Sequence, residues 1–112
     1  LKKAFLTLIL ISQITWSAQL IQCPALKEKQ PFTSLSIFDG DPKQNADLAP
    51  DNSDSPLPHK WTLDGTTPWL VCNYGPKYKH LFTQKIKGSV KSCETMESVK
   101  GSNRFDAIIC EN

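Results

Sequence analysis

Four cysteines, two histidines, a scatter of aspartates and a cluster of lysines are the side chains of this chain with the most chemistry to offer. Cys23, Cys72, Cys93 and Cys110 allow three pairings, and a turn helps to choose among them. If Gly101-Ser102 is a two-residue hairpin loop of the Gly-X, type II′ kind, Cys93 lies eight residues before the glycine and Cys110 eight after the serine. The two then face each other. Counted outward from the turn, they fall in the non-hydrogen-bonded class of pairs, where antiparallel strands come closest. Cys23 and Cys72 pair by elimination. The same register opposes Glu97 and Asp106, a like-charge pair that costs roughly a few tenths of a kcal/mol. In the chain-entropy picture the two bridges contribute about 3 and about 4 kcal/mol, comparable with the whole stability of a small domain. The rival use of four thiolates is a zinc site, which wants close pairs such as C-x-x-C, and this sequence has none.

Nucleophilic catalysis needs a base beside the nucleophile. His59 sits in a proline-rich stretch and His80 near the start of a strand, and neither is flagged by a neighbouring motif. There is no G-x-S-x-G, no H-E-x-x-H and no phosphate-cradling glycine loop. Asp39, Asp41, Asp47, Asp51 and Asp54 could supply paired carboxylates, but a glycosidase holds its pair rigidly about the scissile bond, and these read as solvated acids of a loop. Asp39-x-Asp41 with Asn45 resembles a calcium loop, yet Gln44 and Pro50 stand where glycine and glutamate belong. The residues therefore point to no catalytic centre, no metal and no cofactor.

Charge is more informative. Lys2 and Lys3 precede a nearly unbroken apolar run from Ala4 to Ile14, and small residues follow at Ser17 and Ala18, the pattern of a secretory signal at 1–18. The run is shorter than the about 20 residues a membrane span requires. Residues 19–112 are then expected to form one disulfide-stapled domain in the oxidising periplasm. Of 13 basic and 11 acidic residues in the chain, Lys2 and Lys3 fall in the signal, which leaves 11 of each sign. That balance argues against nucleic acid or an anionic membrane surface as the main partner, and the short apolar run argues against stable membrane insertion. The signs are nevertheless separated. Six acids and two lysines lie between Asp39 and Asp64, whereas five lysines and no acid lie between Tyr74 and Lys91. Strand alternation predicts Lys79, Lys85 and Lys87 on one outward face, either as protection of a sheet edge or as a docking surface for an acidic partner. Asp47, Asp51 and Asp54 are the matching candidates on the acidic side.

The elements that must carry these groups read as antiparallel β structure. Phe32 to Phe38 alternates apolar and small polar residues. Further short runs follow at Lys60 to Leu63, Trp69 to Tyr74, His80 to Ile86, Val90 to Met96 and Phe105 to Cys110, divided by Asp64-Gly65, Gly75-Pro76, Lys87-Gly88 and Gly101-Ser102. The expected fold is a small all-β antiparallel sandwich or barrel of about five to seven short strands. From Asp39 to Pro58 the chain is rich in Asp, Pro, Asn and Ser, a long loop that is either functional or floppy. Trp61 and Trp69 flank the Asp64-Gly65-Thr66-Thr67 turn and are expected to pack against the Cys23 bridge.

Taken together, Cys23-Pro24, Phe38-Asp39-Gly40, Leu48-Ala49-Pro50, Trp61-x-Leu63, Trp69-Leu70-Val71-Cys72-Asn73-Tyr74 and two late cysteines resemble a family of small periplasmic proteins of Gram-negative bacteria. Some members are encoded beside type VI secretion clusters. The resemblance implies a non-enzymatic immunity protein that occludes a peptidoglycan-attacking effector. Two alternatives stand beside it: a periplasmic inhibitor of host lysozyme, whose basic surface would suit the acidic loop, and an accessory subunit of an envelope or secretion structure.

Overall fold

The computed structural model describes residues 18–112, and all but the last residue of the expected export signal lies outside them. Nine strands run in chain order: β1 (Gln19–Gln22), β2 (Leu26–Lys27), β3 (Gln30–Asp39), β4 (Asp47–Leu48), β5 (Lys60–Thr62), β6 (Pro68–Tyr74), β7 (Lys79–Lys85), β8 (Ser92–Met96) and β9 (Ala107–Glu111). A single 3-10 turn at Pro42–Gln44 interrupts the long connection after β3. Two antiparallel sheets result. The smaller has the order β1-β9-β8-β5; the larger has β2-β3-β6-β7, with β4 added along β3. Neither closes on itself, so the barrel alternative falls and the sandwich stands. The strand number exceeds the expected five to seven because β2 and β4 are two-residue pairings, too short for any periodicity to announce.

One apolar cluster draws on both sheets. Ile21, Trp61 and Ile108 come from the smaller and Ile37, Leu70 and Tyr74 from the larger. β6 is buried along its whole length except at half-buried Trp69, which is why its sequence reads as an apolar run and not as an alternation. The bridge from Cys23 to Cys72, with Cα atoms 5.9 Å apart, joins the chain just beyond β1 to the middle of β6. It therefore ties one sheet to the other. The second bridge, from Cys93 to Cys110 with Cα atoms 4.0 Å apart, links directly opposed residues of β8 and β9. The tyrosine that follows Cys72 donates its hydroxyl to the carbonyl of Pro24 at 2.7 Å, and burial pushes its ionisation upward.

The β8–β9 register is the one expected, but the turn that sets it is not. Residues 97–106 form a ten-residue loop and not a two-residue hairpin. Glu97 accepts hydrogen bonds from the amides of Gly101 and Asn103, and Asp106 accepts one from Ser98. The two opposed acids are thus taken up by orphan loop amides, which removes their mutual repulsion as an objection. The tryptophans also depart from expectation. Trp61 is buried opposite Cys93, beside the other bridge, and Trp69 is half-buried on the face of β6 away from Cys72.

Candidate functional site

The acidic connection between β3 and β5 is ordered, not floppy. Asp39 accepts from the Thr67 amide at 2.9 Å, and Asp41 caps the 3-10 turn by accepting from Lys43 at 3.0 Å. β4 lies along β3, pairing Leu48 with Ile37 and Asp47 with Phe38. Trp61 reaches out of the core to donate its indole N–H to the Leu48 carbonyl at 3.0 Å. Further on, Asp51 accepts the Thr62 hydroxyl at 2.6 Å while its amide donates to the Lys60 carbonyl at 2.7 Å. Asn52 donates to the Pro58 carbonyl at 3.0 Å and accepts from the Lys60 amide at 2.9 Å. Between these clamps residues 53–58 form an exposed tip, on which Leu57 is 46% accessible.

The three candidate acids of this segment are therefore not equivalent. Asp51 is engaged by Thr62. Asp47 lies on the outer face of the larger sheet beside Phe38, whose ring meets His80 edge-on with centroids 5.4 Å apart. Desolvation by its neighbours holds the Asp47 carboxyl above the ordinary range for aspartate, and the attraction of His80 only partly counters it. Asp54 stands in the exposed tip.

The candidate lysines divide as well. Cross-strand partners share a face; Lys85 stands opposite Trp69 and Lys79 opposite Tyr74, and these two residues of β6 point to opposite faces. The cause is a register shift at Cys72/Asn73 that leaves Leu81 without a partner, a bulge that reverses the alternation along β7. The expectation of one lysine face is corrected on this ground. Lys85 and Lys87 stay together, and the fold brings Lys91 to them.

These three lysines line a groove of about 730 Å³ between the 64–67 turn and the 86–91 connection. Both walls are fixed by backbone hydrogen bonds. Leu63 donates to the Lys91 carbonyl at 2.7 Å, Ile86 to Pro68 at 3.0 Å and Lys91 to Glu111 at 2.8 Å. Gln19 donates its side-chain amide to the Lys87 carbonyl at 2.6 Å. Glycines turn the chain at both walls, Gly65 with φ +77° and Gly88 with φ +79°, a conformation other residues adopt only at a cost. Buried Ile86 and Val90 form the floor. The one acid on the rim is Asp64. Sequence reasoning noticed the lysine-only stretch but missed the groove, because Lys91 comes to it through the β8 pairing and not through local spacing.

Among the described residues no group of three or more potential metal ligands converges, and no helix is long and apolar enough to cross a membrane. A family model described as the type VI secretion system Tli immunity protein matches residues 27–111, which take in the acidic connection, the lysine groove and three of the four cysteines. No curated protein and no solved structure matches the chain.

Proposed function

Since the chain belongs to the type VI secretion system Tli immunity protein family, we propose that it works in the periplasm as a stoichiometric inhibitor that occludes the active site of a cognate effector. The family match over residues 27–111 carries this reading. Two features of the molecule support it. Paired cysteines fit an oxidising compartment, and the disulfide-stapled sandwich, residues 19–112 in our reading, holds its acidic connection at both ends while leaving the 53–58 tip exposed. A projecting segment that is already ordered loses less freedom on entering a cleft than a floppy one, which costs roughly 1 to 2 kcal/mol per residue fixed. Asp54 and Leu57 are the tip residues we assign to the contact. The effector's substrate, in this proposal, is peptidoglycan, and the immunity protein itself performs no turnover.

The test is inhibition of the purified effector, assayed on peptidoglycan sacculi and in parallel on phospholipid vesicles. Asp54→Ala with Leu57→Ala should weaken inhibition tenfold or more, about 1.4 kcal/mol, with no change in thermal stability. Full inhibition by the double variant removes the tip from the interface. An effector that is inhibited on vesicles but inert on sacculi keeps the immunity role and overturns the peptidoglycan assignment.

A further inference from the structure

The lysines of the groove are charges that the fold leaves unused. Among the described residues the one ion pair is Lys60 with Glu94, 3.6 Å apart and exposed. No acidic residue occurs in the sequence between Asp64 and Glu94, so Lys85, Lys87 and Lys91 gather on the groove with Asp64 as their only acidic company. Ammonium groups on one rim repel each other weakly in water, where screening acts over about 8 Å, and the fold bears that cost. Carboxylates from outside would turn the repulsion into attraction.

Resting on the immunity reading above, we infer that this groove binds an extended acidic segment of the cognate effector, with its carboxylates on Lys85, Lys87 and Lys91. Lys85 ends β7 and Lys87 lies two residues beyond it, a separation of about 6 to 7 Å where the chain is extended. Acids at alternate positions of an extended partner repeat at the same distance. Ile86 and Val90 are buried beneath the groove, and the charged rim and the backbone of the glycine-turned walls are what it presents to an extended partner. Asp64 can accept a hydrogen bond from a peptide amide, which a nucleic acid backbone lacks. A second copy of this chain is a poor occupant, because Asp39, Asp41 and Asp51 of its acidic connection already accept internal hydrogen bonds.

The deciding experiment compares two variants with the same change in charge. K85E/K87E alters the groove; K77E/K79E alters lysines that line a separate cavity with Gln30 and Tyr74. Against the effector, K85E/K87E should raise the dissociation rate at least tenfold, whereas K77E/K79E should leave it within twofold and lower only the association rate. Equal dissociation rates for the two variants would show general steering and overturn the groove. A second arm uses the immunity protein alone with a hexaglutamate peptide, followed by amide NMR. Shifts should concentrate at 64–68 and 85–91 and vanish in K85E/K87E. Equal shifts around Lys77 and Lys79, or a wild-type dimer that K85E/K87E dissociates, would also overturn it. Failure of wild type to bind any effector, with the peptide still seated in the groove, would instead count against the immunity reading.

Discussion

The acidic connection of residues 40–59 and the basic one of residues 86–91 are both ordered, yet they use their charges in opposite ways. In and around the first, carboxylates hold the chain: Asp39 accepts from the Thr67 amide, Asp41 from the Lys43 amide and Asp51 from the Thr62 hydroxyl. In the second, backbone bonds and one side-chain amide, from Gln19 to the Lys87 carbonyl, fix the chain, and the lysine side chains are left to solvent. Side-chain chemistry accounts for the contrast. Aspartate is an acceptor on a short stem, and irregular backbone is full of amides in need of one. Lysine is a donor whose strongly hydrated ammonium sits on a long, flexible stem, and fixing it costs up to about 2 kcal/mol of rotamer entropy. A count of charges therefore does not locate a binding surface. What matters is which charges the fold has left over, and here they are mostly the positive ones and the acid of the tip.

The largest effect should come from the anchor of the acidic connection. Trp61 is buried in the core and also holds Leu48 by its indole N–H. Trp61→Ala should cost about 3 to 5 kcal/mol in denaturant unfolding, and Trp61→Phe, which keeps most of the apolar contact, should cost less. A loss below about 1 kcal/mol for the alanine variant would mean that the connection folds independently of the core, and the contrast with the basic connection would lose its basis.

A smaller effect separates the acids from one another. Asp51→Ala removes the bond to Thr62 and should cost about 1 kcal/mol, toward the lower end because the pair is exposed. Asp54→Ala and Lys87→Ala should each stay within about 0.5 kcal/mol of wild type by the same measurement. Equal losses for Asp51 and Asp54 would show that the tip acid is also structural and take it out of the proposed contact.

Much of this architecture was legible in the sequence, for reasons particular residues make plain. Apolar runs at 69–74 and 107–110 mark β6 and β9 because burial demands them. The β8–β9 register survived a mistaken turn because the ten-residue loop is centred on Gly101-Ser102, so Cys93 and Cys110 remain equidistant from its middle. β4 was hidden because a two-residue pairing has no period, and the prolines and aspartates around it signal only irregular chain. The face of Lys79 was misread because the bulge at Leu81 answers to the pairing with β6 and not to any residue of β7 itself. The groove was invisible for the same reason: its walls are neighbours in space through pairings some twenty residues apart.

The smallest predicted effect tests an acid that is neither engaged nor free. The Asp47 carboxylate takes part in none of the side-chain hydrogen bonds that order the connection, and desolvation raises its pKa above the ordinary value of 3.8 despite the attraction of His80. A carboxyl with a raised folded-state pKa binds its proton more readily in the native protein than in the unfolded chain. Stability is then greatest when the group is protonated in both states and falls as pH rises through the raised value. Asp47→Asn removes that dependence. It should raise the melting temperature slightly at pH 7, and the advantage should shrink as pH falls, vanishing once Asp47 is protonated in both states. A variant that melts lower than wild type at pH 7 would mean that the pairing with His80 outweighs desolvation. Asp47 would then join Asp39, Asp41 and Asp51 as a charge the fold uses, leaving Asp54 as the one acid of the connection that is free for a partner.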